Sequence, residues 1–411
     1  MDHPDHRRLG RELGIFATDE QVGAGLPLWL PAGAAIRAEI ERFVVKLERR
    51  HGYQHVYTPE LGKRQLYERS GHWQHYEEDM YPPMRVGGDQ VVLRPMNCPH
   101  HILVFDAEPR SLRAMPVRLA ELGTMFRLER SGVVGGLSRV RQMTLNDGHV
   151  FCAMEHIGDE IASILGMVAE AYQALAIPPP RLRLSLRGEG PKYAGDGAAW
   201  ELSEEMLRRS LDDHGVAYDE ASDEAAFYGP KIDLQVTDPQ GREETLSTVQ
   251  VDFYLPGRFD LSFRRGERSE RPVMIHRSIV STMERMVAHL LEVHRGALPP
   301  WLAPTQVVVV PVAEDASSHA RAVRRCLHDR DVRVELDDRD ATLASRIRDA
   351  QQRHVPYVAV VGRREAESGT VAVRLRDSTR LDPRPVDAFL GLLDMVIATR
   401  TAALLPAGGA S

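Results

Sequence analysis

One of the three cysteines of the chain lies within the stretch LRPMNCPHH, residues 93–101, where Cys98 follows Pro-Met-Asn and precedes Pro-His-His. Proteins bind zinc through cysteine and histidine, and a catalytic zinc keeps one position open beside three protein ligands. His149 in NDGHVFC and His276 in PVMIHRS are the candidate partners. Each of the three residues lies beside a strand-like apolar run, so a sheet could bring them together. The alternative is structural: a small apolar core cysteine and two hydrogen-bonded histidines.

A second set of residues could bind carboxylate or phosphate groups. Charged residues alternate along two strand-like runs, so the members of each pair would share one strand face. The pairs are Arg127 with Glu129 in MFRLERSG, and Arg139 with Arg141 in LSRVRQMT. An arginine fork binds such anions through two hydrogen bonds, which suits a nucleotide site. The alternative is a solvated, salt-bridged sheet face. Arg285 in STMERMVAHL and Lys231 in FYGPKIDL could reach the same site from a helical turn and a Gly-Pro turn.

The composition is that of a globular protein with a substantial core. The 411 residues are 43% hydrophobic and 27% charged, which suggests roughly two or three domains. Three scattered cysteines cannot form a disulfide framework, and the N-terminal MDHPDHRRLG lacks the apolar core of a signal peptide. No apolar run approaches the ~18 residues of a membrane span, and the net charge of -7 excludes a generally basic nucleic-acid coat. We therefore expect a soluble, cytoplasmic protein without a membrane partner.

The elements that must position these residues begin with a helix, predicted by apolar residues at helical spacing over 36–47 and followed by a strand at YQHVYTPEL. A further helix is predicted over 155–179, and another at IVSTMERMVAHLLEVHRG. MFRLER and SRVRQMTL are predicted as the arms of an antiparallel hairpin with SGVVGGL at its tip. The remaining predicted strands are QVVLRP, GHVFC, RLRLSL, KIDLQV, TLSTVQVDFYL and FDLSFR. This pattern indicates a mixed sheet with antiparallel pairs and helices, about 300 residues long.

The three prolines of ALPPWLAP, residues 297–304, predict a linker, because proline resists both helix and central strand. Beyond it, strands and helices alternate through TQVVVVPV, HARAVRRCLHDR, RVELDD, ASRIRDAQQRH, YVAVVG and TVAVRLR. That order is typical of a small α/β domain. We therefore divide the chain into residues 1–300 and 301–411.

Read as a set, these motifs resemble a known family. MFRLER with GGLSRVR, IHRSIVSTMER and HGYQHVYTPEL resemble motifs 2, 3 and 1 of the class II aminoacyl-tRNA synthetases. More narrowly, from about residue 5 to 400, eight stretches resemble the threonyl-tRNA synthetases: DHRRLGRELGIF, SGHWQHY, LRPMNCPHH, RVRQMTLNDGHVFC, FYGPKIDL, TVQVDFYLPGRFDL, PVMIHRS and WLAP. The resemblance implies an α/β (α+β) fold in which a class II catalytic domain, a mixed antiparallel sheet with helices, precedes a small α/β anticodon-binding domain.

The resemblance also implies an amino-acid site. It implies that one catalytic-site Zn2+ per subunit is held by Cys98, His149 and His276. The open positions of the metal would take the amino group and hydroxyl of L-threonine, and Asp147 would hydrogen-bond that hydroxyl. Valine lacks the hydroxyl, and a site built to use a hydroxyl rejects such an analogue strongly. The amino-acid pocket would further be lined by Tyr228, Lys231 and Gln250.

The activation chemistry follows from the same resemblance. The carboxylate of threonine would attack the α-phosphate of ATP, and the resulting threonyl-adenylate would pass to the 3′ end of tRNA(Thr). Arg127 would hold the α-phosphate and the carboxylate, and Glu129 the adenine side. Arg139 and Arg285 would hold the outer phosphates, with Mg2+ on the nucleotide.

Two further expectations concern macromolecular partners. Glu367 and Arg376, in EAESGTVAVRLR, match positions of the family that read anticodon bases, and arginine suits guanine edges. The alternative is a hairpin with ordinary surface charges. Enzymes of this family are dimers with motif 1 at the interface, so residues 36–61 are the predicted contact of a homodimer.

The chain also departs from the family pattern. It starts almost at DHRRLG, where bacterial threonyl enzymes carry a ubiquitin-like and an editing domain, so we expect a short form that makes some seryl-tRNA and cannot clear it in cis. Gln142, Leu145 and Ser281 replace glycine, glutamine and glycine of the pattern; three more off-pattern residues are His100, Thr245 and Ser247.

Two alternatives to a threonine–tRNA ligase remain open. One is a paralogue that activates threonine but transfers it to another acceptor, such as a carrier protein. The other is a non-catalytic tRNA-binding regulator. The anticodon-domain signature favours the ligase over the first, because a carrier-protein ligase has no use for anticodon readers. The retained zinc ligands and arginines favour an enzyme over the second.

Overall fold

The computed structural model describes residues 5–130, 132–190, 192–195 and 197–406. The helices are α1 (His6–Glu12), α2 (Pro31–Arg50), α3 (Arg64–Ser70), α4 (His72–Tyr76), α5 (Cys98–Asp106), α6 (Ile157–Leu175), α7 (Gly197–Asp213), α8 (Leu255–Arg258), α9 (Met283–Val293), α10 (Ser317–His328), α11 (Leu343–Gln352), α12 (Arg363–Ser368) and α13 (Val386–Thr399). No helix among these residues is both long enough and apolar enough to cross a bilayer.

The strands up to residue 300 are β1 (Phe16–Ala17), β2 (Leu28–Trp29), β3 (Gln54–His55), β4 (Leu61–Lys63), β5 (Met84–Val86), β6 (Asp89–Leu93), β7 (Val117–Phe126), β8 (Gln142–Cys152), β9 (Arg181–Ser185), β10 (Tyr218–Ala221), β11 (Lys231–Thr237), β12 (Glu243–Asp252), β13 (Phe263–Arg265), β14 (Arg268–Glu270) and β15 (Val273–Ser278). Those beyond it are β16 (Val307–Pro311), β17 (Val334–Leu336), β18 (Tyr357–Val361), β19 (Thr370–Leu375) and β20 (Arg384–Pro385). The predicted mixed α/β fold with antiparallel-rich sheets is thereby confirmed.

The first 300 residues are organised around an eight-stranded sheet with the order β10-β9-β11-β12-β15-β8-β7-β3. Its central strands pair antiparallel, while the outermost pairs, β10 with β9 and β3 with β7, are parallel. The main core packs against one face and draws its helical side chains largely from α2, α6 and α9. The apolar periodicity over 36–47 is therefore explained by burial on this face, since Ile36, Ile40 and Leu47 are fully buried.

The opposite face of this sheet carries the predicted zinc ligands. His276 is directly opposite His149 in the register of β15 and β8. Alternate residues of a strand point to opposite faces, so the two histidines share a face with Phe151 and Met274. Those two apolar residues pack in a second core with Cys98, which begins α5. Strand pairing and alternation together therefore bring the three predicted ligands to one side of the sheet.

The predicted hairpin forms, but its arms end earlier than the sequence indicated. β7 and β8 pair antiparallel from Val117 to Phe126 and from Gln142 to Phe151. Arg127, Glu129 and Arg139 therefore lie in the connection between the strands and not on strand faces, which corrects the sequence prediction. The connection has its own bonds, among them Arg127 N to Arg141 O at 2.9 Å and Arg141 N to Gly25 O at 2.8 Å.

Two other predicted strands are shorter than expected. YQHVYTPEL contributes only Gln54–His55 to the large sheet, and FDLSFR contributes only Phe263 and Arg264, to a separate hairpin. In the first case the guanidinium of Arg94 bonds the carbonyl oxygens of Thr58 and Pro59, at 3.2 and 3.4 Å. A proline has no N–H for a ladder, so the chain leaves the sheet at this point.

Beyond residue 300 a five-stranded sheet has the order β17-β16-β18-β19-β20, parallel over its first three strands and antiparallel over the rest. α10 and α13 pack on one face, and α11 packs on the other. The sheet is joined to the linker by Arg333, which donates to Trp301 O at 2.7 Å and to Ala303 O at 2.9 Å. EAES forms α12 and not the arm of a hairpin, because Gly369 at φ +65° ends the helix just before β19.

Candidate active site

A cavity of about 340 Å³ opens on the sheet face that carries the histidines. Its wall brings together residues from the first two predicted sets, although they are widely separated in sequence. Eight of the predicted site residues line it: Cys98, Arg127, Asp147, Tyr228, Lys231, Gln250, His276 and Arg285.

The three predicted zinc ligands form a compact buried cluster at this wall. One candidate ligand atom from each of Cys98, His149 and His276 lies within 4.8 Å of the other two. Their exposed fractions are 4%, 0% and 5%. Nε2 of His149 lies 3.0 Å from Nδ1 of His276. A thiol and two imidazoles are the donor set that zinc prefers.

The protonation of His276 supports a cation at this cluster. Its Nε2 lies 2.8 Å from Oδ2 of Asp252, whose other oxygen accepts the N–H groups of Tyr254 and Leu255, both at 2.8 Å. A carboxylate held this way fixes the proton of His276 on Nε2 and leaves Nδ1 with a lone pair directed at the cluster. The residues present therefore fit a bound metal ion.

Burial also changes the pKa values of the Cys98 thiol and the Asp147 carboxyl group. Burial raises the pKa of the Cys98 thiol well above its usual value, and the charges of Asp147 and Asp252 add to the effect. Burial likewise raises the pKa of Asp147, whose Oδ1 lies 3.8 Å from Nε2 of His149. A bound cation reverses such shifts, since coordination deprotonates a thiol. Asp147 thus lies directly beside the cluster.

A second cluster of possible metal ligands consists of Asp5, His6 and Glu292. It differs from the first because its side chains have hydrogen-bond partners within the protein. Nε2 of His6 accepts the N–H of Leu137 at 3.3 Å, so the proton of the neutral ring is on Nδ1, which donates to Oε1 of Glu292 at 2.7 Å. Both oxygens of Asp5 accept from the guanidinium of Arg7. The hydrogen-bonding capacity of this cluster is met without a metal.

A tyrosine, a lysine and a glutamine form one part of the cavity wall. The hydroxyl of Tyr228 donates to Oε1 of Gln250 at 2.6 Å, and its ring stacks on that of His276 with centroids 4.7 Å apart. Burial raises the pKa of Tyr228 well above its usual value, so the phenol is neutral. Nζ of Lys231 lies 2.8 Å from Asp233, a cavity residue that the sequence reasoning missed. The spacing in KIDLQV could have identified it, because Lys231 and Asp233 share a strand face.

Arg127 and Arg285 add positive charge to the cavity wall. Arg285 lies in the first turn of α9, as predicted, and its backbone N–H is capped by Oγ1 of Thr282 at 3.1 Å. Its Nε lies 3.4 Å from Ser138 O. Burial lowers the pKa of Arg285, and the charge of Glu244 opposes that shift. A helix N-terminus with an arginine in its first turn favours bound anions.

Five predicted functional residues of the described part of the chain lie outside the cavity wall: His149, which belongs to the ligand cluster, and four others. Glu129 and Arg139 pair with each other, with Oε2 and Nη2 2.8 Å apart. Glu367 is exposed on α12. Arg376 follows β19 and donates from Nη1 to Leu298 O of the linker, and burial lowers its pKa. Their roles toward nucleotide and tRNA stay predictions.

The off-pattern residues divide into two groups. Leu145, Ser281, Thr245 and Ser247 line the cavity, and Ser281 adopts φ +57°, a conformation that favours glycine. Gln142 is exposed at the first position of β8, and His100 is buried on α5 outside the cavity wall. The departures that bear on ligand contact are therefore those of the first group.

Several buried residues around the site gave no signal in the sequence. His72 is fully buried, burial lowers its pKa to about 3, and its Nε2 has no hydrogen-bond partner among the described residues. Arg277 lies in the cavity floor, 2.7 Å from Oε1 of Glu48 and stacked over the ring of Tyr53 at 4.3 Å. The ring of His72 lies against that of Tyr228, with centroids 6.4 Å apart. Because each of these partners is distant in sequence, spacing could not reveal the contacts.

Comparison with known protein families finds one match in each of the two parts of the chain. A family model of the "tRNA synthetase class II core domain (G, H, P, S and T)" matches residues 83–294. A model of the "Anticodon binding domain" matches residues 306–394.

Individual relatives agree with these matches. Threonine–tRNA ligase of Lactiplantibacillus plantarum is 50% identical over 398 residues, which cover 96% of this chain and 61% of that protein. Threonine–tRNA ligase 1 of Bacillus subtilis is 48% identical over 390 residues, 94% of this chain and 61% of that protein. The chain thus spans about three fifths of the length of these curated relatives.

A solved structure extends the agreement to three dimensions. The crystal structure of the RNA binding domain of threonyl-tRNA synthetase from Cryptosporidium parvum superposes with a TM-score of 0.91 at 34% identity. The match covers 98% of this chain and 99% of that one. The chain therefore belongs to the class II aminoacyl-tRNA synthetases, in the threonyl-tRNA synthetase family, with a synthetase core followed by an anticodon-binding domain.

Proposed function

We propose that the chain is a threonine–tRNA ligase, which activates L-threonine with ATP and transfers it to the 3′ end of tRNA(Thr). One observation carries the proposal: Cys98 and His276, two of the three residues of the ligand cluster, line the same cavity wall as Arg127 and Arg285. The cluster suits an amine and a hydroxyl, and the arginines suit phosphates. Residues 1–300 would perform the chemistry and residues 301–411 would bind the anticodon, in the cytoplasm.

At the amino-acid end, the protein residues select and orient the substrate. A Zn2+ ion held by Cys98, His149 and His276 would supply two open positions for the amino group and the hydroxyl of threonine. Asp147, beside His149, would accept the hydrogen bond of that hydroxyl. The hydrogen bond between Tyr228 and Gln250 fixes the wall against which the side chain would pack.

At the nucleotide end, the arginines position and neutralise charge. Arg127 would bridge the carboxylate of threonine and the α-phosphate, and Arg285 would hold the outer phosphates, where Mg2+ would also bind. Donors oriented before the reaction stabilise the charge that develops at the attacked phosphorus. Glu129 and Arg139 pair with each other at 2.8 Å, and ATP would compete for both partners.

The partners of the enzyme would be tRNA and a second copy of the chain. Glu367, exposed on α12, is available to an anticodon base, whereas Arg376 would have to leave Leu298 O to reach one. For the homodimer, the predicted contact is residues 36–61, where the inward face of α2 packs in the core and Tyr57 is 95% exposed. Tyr57→Glu should then yield monomers by light scattering, while Met395→Glu, at an exposed apolar position of α13, should not.

The deciding experiment is tRNA charging by purified, zinc-replete protein with labelled threonine, with ATP consumption followed in the same tubes. Acid-precipitable threonyl-tRNA with matching ATP consumption is the expected result. ATP turnover on threonine without charged tRNA would replace the proposal by a ligase with another acceptor, such as a carrier protein. No activity of either kind would favour a non-catalytic tRNA-binding regulator.

A further inference from the structure

Behind the proposed metal ligands, three buried side chains form a continuous hydrogen-bonded line. Oε2 of Glu121 lies 3.1 Å from Nε2 of His101, and Nδ1 of His101 lies 2.7 Å from Nδ1 of His149. His101 and His149 are fully buried and Glu121 is 3% exposed. The line joins β7, α5 and β8, and it ends at the ligand cluster.

The charge of Glu121 determines where the protons of this line are. Its Oε1 pairs with Nη2 of Arg94 at 3.0 Å, and its Oε2 accepts the hydroxyl proton of Thr58 at 2.7 Å. Burial alone would raise the pKa of Glu121, but the hydrogen bonds from His101 and Thr58, with the charge of Arg94, hold it at about 2. Glu121 is therefore ionised and acts only as an acceptor.

The tautomers of both rings follow from this acceptor. His101 must donate from Nε2 to Glu121, so its Nδ1 has a lone pair when the ring is neutral. That lone pair accepts the Nδ1 proton of His149, which leaves Nε2 of His149 without a proton. This nitrogen is the one 3.0 Å from Nδ1 of His276. Two lone pairs consequently face each other, an arrangement that a cation between them stabilises.

The two histidine ligands are thus oriented in different ways. Asp252 contacts His276 directly, whereas Glu121 acts on His149 through an intervening imidazole. Groups behind a ligand orient its ring, fix its tautomer and raise its basicity, and their loss typically lowers metal affinity by about 10- to 100-fold.

We propose that His101, held by Glu121, is a positioning residue that fixes the tautomer and ring orientation of His149 and thereby sets the metal affinity of the cluster. This inference rests on the proposed function, in which the cluster binds zinc. His101 itself contacts no substrate in this scheme, because it lies behind His149 and outside the cavity wall formed by the described residues.

The line from Glu121 through His101 to His149 is also hydrogen-bonded to residues 58–60, in the segment that follows α2. Arg94 donates from Nη1 to Oγ1 of Thr58 at 2.7 Å, and its backbone N–H donates to Glu60 O at 2.9 Å. The carboxylate that fixes His101 is therefore itself fixed by this segment. A change in the segment would reach His149 through Glu121 and His101.

The test compares zinc dissociation constants, measured by competition with a chromophoric chelator, for the full chain and three variants. His101→Leu removes the acceptor for His149 and should weaken zinc binding about 10- to 100-fold. His101→Asn keeps a short side chain with an acceptor oxygen and should recover most of the affinity. His100→Leu is the matched control on the same helix, because His100 lies outside the ligand cluster and outside the cavity wall. It should bind zinc as the unchanged chain does.

A further variant, Glu121→Gln, tests the proposal even if the His101→Leu protein fails to fold. Glu121→Gln keeps an acceptor but no charge, and its Co2+ complex should show altered d–d absorption together with weaker binding. If the unchanged chain binds zinc and both His101→Leu and Glu121→Gln bind it equally tightly, the relay proposal is wrong while the zinc proposal stands. If the unchanged chain itself fails to bind zinc, the metal proposal and the relay are both rejected.

Discussion

Nε2 of His149 lies 3.0 Å from Nδ1 of His276, and neither nitrogen carries a proton when the opposite nitrogen of each ring donates to its own partner. Burial lowers the pKa of His149 well below its usual value, and the neighbouring His276 and His101 add to the shift. Burial therefore disfavours relief of the lone-pair repulsion by protonation, whereas a metal cation between the two nitrogens would stabilise the contact.

This relationship predicts one zinc ion per chain and its location. Cys98→Ser should lose most of the bound zinc after dialysis, since thiolate is the strongest of the three donors. Glu292→Gln should leave the zinc content unchanged, because the His6–Glu292 pair is satisfied without a metal. Elemental analysis of the dialysed proteins measures both. Loss of zinc from the Glu292→Gln protein would instead indicate that the metal binds at Asp5, His6 and Glu292, and would contradict the predicted location.

The site also predicts an order of amino-acid activation. Threonine should be activated best and serine about 10- to 200-fold less well, because the two differ by one methyl group. Valine should give no measurable activation, since it leaves a position built for a hydroxyl unfilled. Pyrophosphate exchange into ATP measures this step alone. Asp147→Asn should reduce the preference for threonine over valine; an unchanged ratio would remove Asp147 from the hydroxyl site.

Arg285 should matter for the chemical step more than for folding. Arg285→Gln is expected to lower the exchange rate by about 100- to 1000-fold, the usual cost of one charge-stabilising donor. Arg285→Lys should lie between, since lysine keeps the charge but lacks the planar fork. Arg209→Gln, at an exposed position of α7, serves as control and should retain full activity. Full activity of the Arg285→Gln protein would contradict the assigned role.

The cavity floor predicts an unusual sensitivity to a single methyl group. A Cβ atom at residue 148 would lie 2.2 Å from the guanidinium carbon of Arg277, which is buried with Glu48 as its ion-pair partner. Gly148→Ala should therefore destabilise the fold by about 1 to 3 kcal/mol through overpacking. Gly166→Ala lies in α6 with open space around its Cβ position and should stabilise by about 0.5 to 1 kcal/mol. Chemical denaturation of both variants tests the contrast in sign.

Stability should fall as the pH drops from 7 to 5, partly because of His289. Burial lowers the pKa of this residue, which is 2% exposed, to about 4, and neither ring nitrogen has a hydrogen-bond partner among the described residues. Between pH 6.5 and 4 the unfolded chain binds a proton that the folded chain does not, so this contribution to stability is present at pH 7 and decreases with acidification. At pH 5 the loss is about 2 kcal/mol.

The control for this pH effect is His289→Leu, which has no group to protonate. Its free energy of unfolding should change less between pH 7 and 5 than that of the unchanged chain, by about the same 2 kcal/mol. Equal pH dependence of the two proteins would show that His289 titrates normally.

Much of the architecture was predictable from local patterns. The helix over 36–47 and the strands around His149 and His276 follow from periodicity, because each buries one face along its own length. The choice of Cys98, His149 and His276 followed from residue type and from the family resemblance. Arg127 and Arg285 line the cavity with Cys98 and His276, but Arg127, Glu129 and Arg139 were wrongly placed on strand faces. Strand ends depend on competing contacts, such as Arg127 N with Arg141 O, that periodicity does not contain.

Residue types and local periodicity were enough to predict the chemical character of the site and the elements that carry it. The groups that orient those side chains become visible in the folded chain: Asp252 behind His276, and the line from Glu121 through His101 to His149. These partners are 20 to 48 positions apart in sequence. Their pairing depends on the order and register of strands in the sheet, and hydrogen bonds between such distant residues exist only once non-local strand pairing has been formed.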